Sequence, residues 1–416
     1  MADAPMKILY IAYSCAPDRG SENRIGWMLP LTMSRHYQVF VITKSQYRRE
    51  ITEYCARHPQ VRVQFFYVDV PAANAALRGP LYSLQLNLWH RRAVKLAAQL
   101  CRREGITRIH QITPVEFRSI GDYGSIPDVR FFCGPVGGGE YIPRDLWLRM
   151  GWRMAAEGIR WGFNIIARRR LQKTGILNRC HGLLFANPET ESWLAPILPE
   201  GLDLGIYPEV GVEDAGTDTE RTAKGEVITF LTASRLIRRK GHSLLLDALS
   251  DLPESLPWRM VIAGTGPEET GLRKKAGRLG LKNRVIFTGK QPFSQMEALY
   301  LAADVLVLPS LRETTGSVVT EAMARSLPVI LPDRFGGRKL VTKDSGWLYS
   351  GGRKALTAAL LDAASSRAEV ARRGTNAADA VKNHTWDAKA AHYRHLYETT
   401  EERRDDHAGF HCGAHL

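Results

Sequence analysis

The sequence predicts an α/β protein of two doubly wound domains, and three observations carry that expectation. Short runs rich in Val, Ile and Phe alternate with longer helical stretches, the pattern of parallel sheets covered on both faces. At 416 residues the chain exceeds the size at which a single hydrophobic core keeps growing. A polar, strand-poor interval, VGVEDAGTDTERTAKGE, divides the strand series in two.

In the first half KILYIAYS, YQVFVIT, VQFFYVDV, IHQIT, VRFFCGPV and GLLFAN read as strands, with helical stretches such as Leu84 to Arg103 between them. EVITFLTAS, RMVIAG, RVIFTG, DVLVLPS and LPVILP repeat the habit in the second half. The boundaries follow: an N-terminal domain over 1–209, a linker over 210–225 and a C-terminal domain over 226–385. In TWDAKAAHYRHLYETT, Trp386, Tyr393, Leu396 and Tyr397 fall at helix-compatible spacings, which predicts a last helix over 386–402. The charged stretch 403–416 has the composition of a flexible tail.

The 44% hydrophobic and 24% charged balance is that of a soluble globular protein. No apolar run reaches the roughly 18 residues of a membrane span. The first apolar run follows a single lysine and lacks a small-residue cleavage site, so it is expected to be the first strand of a cytoplasmic protein. The six cysteines show neither CxxC nor metal-ligand spacing and read as reduced, structural thiols.

A net charge of +14 draws the chain to polyanions. No nucleic-acid-binding motif is present, which leaves phosphorylated small molecules and anionic membrane as partners. From Trp147 to Lys173, Trp147, Trp152, Trp161 and Phe163 are interleaved with Arg149, Arg153, Arg160, Arg168, Arg169 and Arg170. This is the make-up of an amphipathic helix on an anionic bilayer, or equally of a helix packing its aromatics into its own domain.

In open α/β sheets ligands bind beyond the carboxyl ends of the strands. FLTAS ends in RLIRRKG, which puts Arg235 and Lys240 in a turn closed by Gly241; such cations favour phosphate oxygens, or simply line a surface turn. RMVIAG runs into GTGP, where Gly264 and Gly266 allow a tight turn or a close ligand. Glu268 and Glu269 follow, unlike a dinucleotide fingerprint. RVIFTGK ends at Gly289 and Lys290, a place for backbone groups to hold a base edge.

DVLVLPS turns through LRETTG into the helix SVVTEAMA, so Gly316, Ser317 and Val318 offer backbone N–H groups at a positive helix end. Glu313 and Glu321 lie on either side of that site. Were the whole segment helical, they would be about 12 Å apart, roughly the reach from sugar to ribose in a nucleotide-sugar. A carboxylate accepting two hydrogen bonds suits a vicinal diol, so Glu321 is expected on the ribose and Glu313 on the sugar. Taken alone, the two acids also fit a turn filler and a solvated helix residue.

Together these residues resemble the retaining, GT-B-fold glycosyltransferases of family 4, the glycosyl transferases group 1. The resemblance covers nearly the whole chain and rests on ASRLIRRKG, VIAGTGP, RVIFTGK and ETTGSVVTE, the last being similar to that family's E-x7-E motif. APDRGSENRIGW and GPVGGGEYIP resemble the GSE and GPVGGGE loops of a subgroup, and PEVGVED resembles the interdomain element. TWDAKAAHYRHLY is similar to the helix that crosses back to the N-terminal domain.

The resemblance implies two facing Rossmann-like domains, the first for the acceptor and the second for the nucleotide-sugar. It implies that Arg235 and Lys240 neutralise the donor diphosphate, that Glu313 contacts the sugar near its reacting face and that Glu321 holds the ribose. His110 would border sugar and acceptor, although the family often has two histidines here and this chain has Gln111 beside one. Gly20, Ser21 and Glu22, and Gly138 and Gly139, would face the acceptor.

Neither metal nor cofactor is implied. The leaving phosphate takes the acceptor's proton, anomeric configuration is kept, and electrostatic stabilisation carries most of the catalysis. Two departures stand out: Ser326 replaces a usual glycine, and Arg338 with Lys339 replaces a usual acid, which either reshapes the sugar pocket or lies outside it.

The function expected is transfer of a hexose from a UDP- or GDP-sugar to a saccharide or lipid-linked saccharide, as in bacterial surface polysaccharide or glycoconjugate assembly. Its place would be the cytoplasm or the inner membrane face. A small natural-product or glycoside acceptor, a GT-B-fold epimerase or phosphorylase, and a catalytically silent binding subunit are the alternatives.

Overall fold

The computed structural model describes residues 6–69, 82–213 and 225–409. Its first sheet is made of β1 (Lys7–Ala12), β2 (Gln38–Lys44), β3 (Val63–Val68), β4 (Arg108–Thr113), β5 (Arg130–Val136), β6 (Gly182–Phe185) and β7 (Asp203–Ile206), all paired in parallel. The spatial order is β3-β2-β1-β4-β5-β6-β7. β8 (Ile228–Ala233), β9 (Trp258–Ala263), β10 (Val285–Gly289), β11 (Val305–Val307), β12 (Val329–Pro332) and β13 (Gly346–Tyr349) form a second parallel sheet, ordered β10-β9-β8-β11-β12-β13. In each sheet the order reverses beside the first strand, between β1 and β4 and between β8 and β11, where a doubly wound sheet opens a crevice for ligand.

The strands form where the sequence can satisfy burial on both faces. All six residues of β8 are buried, as are Ile8 to Ala12 of β1. β7 and β13 are additions to the expected set. Each is a four-residue edge strand, and β7, DLGI, is half-exposed and carries no apolar run.

One face of the first sheet packs Leu9, Ile11 and Phe131 against Trp89 and Leu100 of the helix Tyr82–Glu104. The other face packs Ile8, Tyr10 and Phe132 against Trp386, Tyr393 and Tyr397. Those three belong to the helix Trp386–Gly409, which follows the second sheet yet packs on the first. The helix runs to Gly409, past the expected boundary at 402. Its start is pinned by Val212 N donating to His384 O (3.0 Å) and Trp386 N donating to Val212 O (3.1 Å). Most of the expected linker, residues 214–224, and the tail residues 410–416, Cys412 included, lie outside the described residues. Ser326 takes φ +53°, the left-handed conformation that a glycine would adopt more readily.

Candidate functional site

β8 and β11 are parallel neighbours, so the turns that follow them emerge side by side. After β8 comes the basic turn Arg238–Lys240, leading into the helix His242–Leu249; after β11 comes Leu308 to Thr315. Leu311 N donates to Arg239 O (2.8 Å) and Arg239 Nη1 donates to Arg312 O (3.2 Å), which ties the turns together. Within them Lys240 Nζ forms an ion pair with the Glu313 carboxylate, and the two side chains are only 14% and 11% exposed. Ser310 Oγ also donates to that carboxylate, at 3.2 Å.

Burial pushes the Glu313 carboxyl up, but the charges of Lys240 and Arg239 more than reverse this and hold it below the usual carboxylate range. Glu313 is therefore an anion at neutral pH. Arg235 stands exposed at the end of the same strand and makes no ion pair among the described residues.

Gly316 precedes the helix Ser317–Met323, and the amides of Ser317 and Val318 lie in its first turn, which has no intrahelical acceptor. Because Glu313 to Gly316 are not helical, the separation of the two acids by continuous helical rise does not apply. Glu321 is buried and accepts a 2.7 Å hydrogen bond from Tyr300 Oη. Burial raises its pKa, against the charges of Arg24 and Arg325.

A Cβ added to Gly264 would lie 2.0 Å from Ser234 O, and one at Gly266 would lie 2.4 Å from Leu236 O. These glycines thus let the loop after β9 close onto the loop after β8, a packing need independent of any ligand. Lys290 is exposed beyond β10, and Arg338 is engaged by Asp333 at 2.7 Å.

The facing wall comes from the loop after β5. Gly138 N and Asn187 Nδ2 both donate to Glu140 Oε1 (2.8 and 2.7 Å), and Gly139 N donates to Thr190 Oγ1 (3.0 Å). Gly138 O accepts from Arg160 Nη1 and Asn164 Nδ2, both at 2.9 Å and both on the helix Met154–Thr174. A Cβ on Gly137 would sit 2.4 Å from Thr314 Cγ2, so only glycine lets this loop lie against the Glu313 turn.

The two walls are joined directly. Asn187 Nδ2 reaches Thr314 O (3.3 Å), and Arg312 Nη2 reaches Glu157 Oε1 (3.1 Å), whose carboxylate also holds Arg160 (3.0 Å). Thr315 Oγ1 donates to the Glu209 carboxylate. Burial raises Glu209 to about 7, and burial lowers Lys389, on the last helix, to about 7. Lys389 donates to Pro208 O beside Glu209.

Gly20 and Ser21 are exposed after β1, and Glu22 opens the helix Glu22–Met33. Its carboxylate accepts from Val115 N (3.1 Å) and, at 3.5 Å, from Ser14 Oγ. Burial, with Glu116 adding to it, raises the Glu22 pKa. This acid therefore ties the loop after β1 to the loop after β4.

His110 requires a correction. It is fully buried within β4, with Nε2 2.9 Å from Gly134 O and Nδ1 2.6 Å from Tyr397 Oη. Burial pushes the imidazole down to about 3, so the neutral ring donates to Gly134 O and accepts from Tyr397. Both nitrogens are engaged beneath the last helix, and His110 fastens that helix rather than bordering sugar or acceptor. Alternation along β4 sends Gln111 to the opposite face, where it holds Ser119 O (3.2 Å) and Gly121 N (2.9 Å).

Sequence reasoning expected Glu140, with Gly137 to Gly139, in a loop facing the cleft; it missed Arg239, Asn187, Glu209, Thr315 and Tyr300. Arg239 was visible in RLIRRKG; the others are recruited by contacts between distant segments.

Comparison with known proteins adds the following. Residues 217–380 match the family Glycosyl transferases group 1. D-inositol 3-phosphate glycosyltransferase of Corynebacterium efficiens is 32% identical over 237 residues, 52% of this chain and 53% of that protein. The chain thus matches about half the length of this curated relative. Sucrose-phosphate synthase from Thermosynechococcus elongatus superposes with a TM-score of 0.70 at 17% identity, over 96% of this chain and 100% of the other. Anabaena HepE in complex with UDP gives 0.65 at 17% identity, over 95% and 100%. At these identities the likeness is one of fold: the chain has the GT-B architecture of two Rossmann-like domains that the resemblance implied.

Proposed function

We propose that this chain, a GT-B fold carrying a group 1 glycosyltransferase domain, moves a hexose from a nucleotide-diphosphate sugar to a hydroxyl of a saccharide or lipid-linked saccharide, with retention of configuration. The observation that carries this reading is the buried Lys240–Glu313 ion pair, set beside a helix start and against the loop Gly137 to Glu140.

The donor diphosphate would lie between the basic turn and the first amides of Ser317–Met323. Arg235, Arg239 and Lys240 supply positive charge where the leaving phosphate gains negative charge, and electrostatics fixed in advance is the most effective form of such help. Glu313, held as an anion, faces the sugar as its anomeric carbon becomes electron-poor, and Glu321 takes the ribose hydroxyls.

The bond from anomeric carbon to phosphate oxygen breaks with its electron pair going to phosphate. The acceptor oxygen bonds to the same face, and its proton passes to the departing phosphate oxygen. Protein cations meet the phosphate charge in this scheme, so turnover is expected to survive chelation of divalent metal. That a protein of the same fold is solved with UDP supports a nucleotide donor.

The test is incubation with a panel of UDP-, GDP- and ADP-sugars, following slow donor hydrolysis and thermal shift. One nucleotide series is expected to stabilise the protein and be hydrolysed. Absence of both responses across the panel would sink the reading.

A further inference from the structure

The helix Met154–Thr174 buries Ala167 and Leu171 in the core, but polar residues share its inner face. A surface helix ordinarily turns its apolar stripe inward and its charges outward. Here Glu157, Arg160 and Asn164 point inward, where they hold Gly138 O and Arg312. The outward stripe carries Ile159 (53% exposed) and Ile166 (62%), extended by Trp152 (81%) and Leu148 (93%) in the turns just before. Between Trp147 and Thr174 there is one acid, Glu157, and it faces inward.

The neighbouring helix Tyr82–Glu104 continues the surface. It packs on the same turn, Phe117–Ser119, and its outward residues are Leu84 (51%) and Leu88 (37%), then Arg91, Arg92 and Lys95. Its only acid is the final Glu104.

The arginines that suggested an electrostatic contact are mostly engaged within the protein. Arg149 pairs with Asp247, Arg153 with Glu268 and Arg160 with Glu157. Arg168 lies over Trp193 at 5.0 Å, and Arg170 donates to Arg118 O and Ile120 O, both at 3.4 Å. Arg169 and Lys173 remain exposed at the end of the stripe.

We infer that this face docks on an anionic phospholipid bilayer, with Leu148, Trp152, Ile159 and Ile166 entering the boundary between headgroups and acyl chains. Arg169 and Lys173 are exposed at the end of the apolar stripe, and Arg91, Arg92 and Lys95 are exposed on the neighbouring helix, cations of the kind that phosphate headgroups attract. The inner side of the docked helix holds Gly138 O, so the loop expected to face the acceptor is set from the membrane side. The acceptor class that follows is a lipid-linked saccharide. That step rests on the glycosyltransfer reading, whereas the docking itself does not.

The experiment is co-sedimentation of the full chain with phosphatidylcholine vesicles, with and without phosphatidylglycerol, at low and high salt. Binding is expected to favour the anionic vesicles and to weaken, without vanishing, at high salt. W152S/I159S/I166S should bind about ten-fold more weakly, with unchanged melting temperature and donor hydrolysis. R169E/K173E should lose the preference for anionic lipid.

Wild-type failure to bind either vesicle, or equal binding by the triple serine variant, would overturn the inference. So would dissociation of a wild-type dimer by that variant, since the stripe would then cover a second copy. Donor hydrolysis without vesicle binding would leave the transferase reading standing and remove only the docking; binding without hydrolysis would do the reverse.

Discussion

The two walls of the candidate site are made of different material. The wall after β8 and β11 consists of charged side chains that oppose one another, with Lys240 against Glu313 and Arg239 behind them. The wall after β5 is mostly main chain, its amides and carbonyls held from behind by Glu140, Thr190, Arg160 and Asn164. A side-chain wall fixes which charge it meets. A main-chain wall fixes shape, and here it does so with glycines whose added side chains would meet Thr314 and Thr190.

The contrast is broken most sharply at the ion pair. Glu313→Gln should lower turnover about 10²–10³-fold, the scale of removing one electrostatic stabiliser. It should also cost about 3–5 kcal/mol of stability, because Lys240 is left buried and unpaired. K240M/E313Q should be more stable than either single variant and equally inactive. Initial rates and denaturant unfolding measure both; near-normal turnover in Glu313→Gln would remove it from the sugar site.

A smaller effect is expected on the main-chain wall. Asn164→Ala takes one of two donors from Gly138 O and should cost about 1 kcal/mol. The acceptor KM should rise while slow donor hydrolysis stays as in the wild type. If hydrolysis falls in step with transfer, the walls do not divide donor from acceptor.

The smallest effect concerns Glu209, which holds Thr315, and Lys389, which holds Pro208 O beside it. Glu209 is held above its ordinary range, at about 7, so it costs stability progressively as pH rises from that range to about 7. Lys389 is held below its own range, at about 7, so stability returns as pH rises from about 7. E209Q/K389M removes both terms. Its melting temperature relative to wild type should peak near neutral pH and fall away on either side, which thermal melts across pH would show.

The same contrast explains what the sequence disclosed. KILYIA and ITFLTA were legible as strands because a parallel sheet covered on both faces demands apolar residues at every position; DLGI, on an edge, met no such demand. Lys240 and Glu313 were legible because a charged wall needs those residue types. Asn187 and Glu209 were not, since each acquires its role from a partner 127 or 106 residues away. His110 was misplaced for a related reason: a strand position fixes height in the sheet, but the face it points to depends on which helix returns to cover it. The stretch from Trp147 to Lys173 was recognised by composition, yet the direction of its apolar side became visible only in three dimensions.

Thr315 is held by Glu209, and Lys389 from the last helix lies behind that acid. The turn that carries Glu313 and Thr315 is therefore a joint product of three separated stretches of chain. Residues 226–385, excised as a unit, would keep the Lys240–Glu313 pair but lose the support under Thr315. The stretch that matches the group 1 family, 217–380, is therefore expected not to keep the candidate site intact when it is transplanted alone.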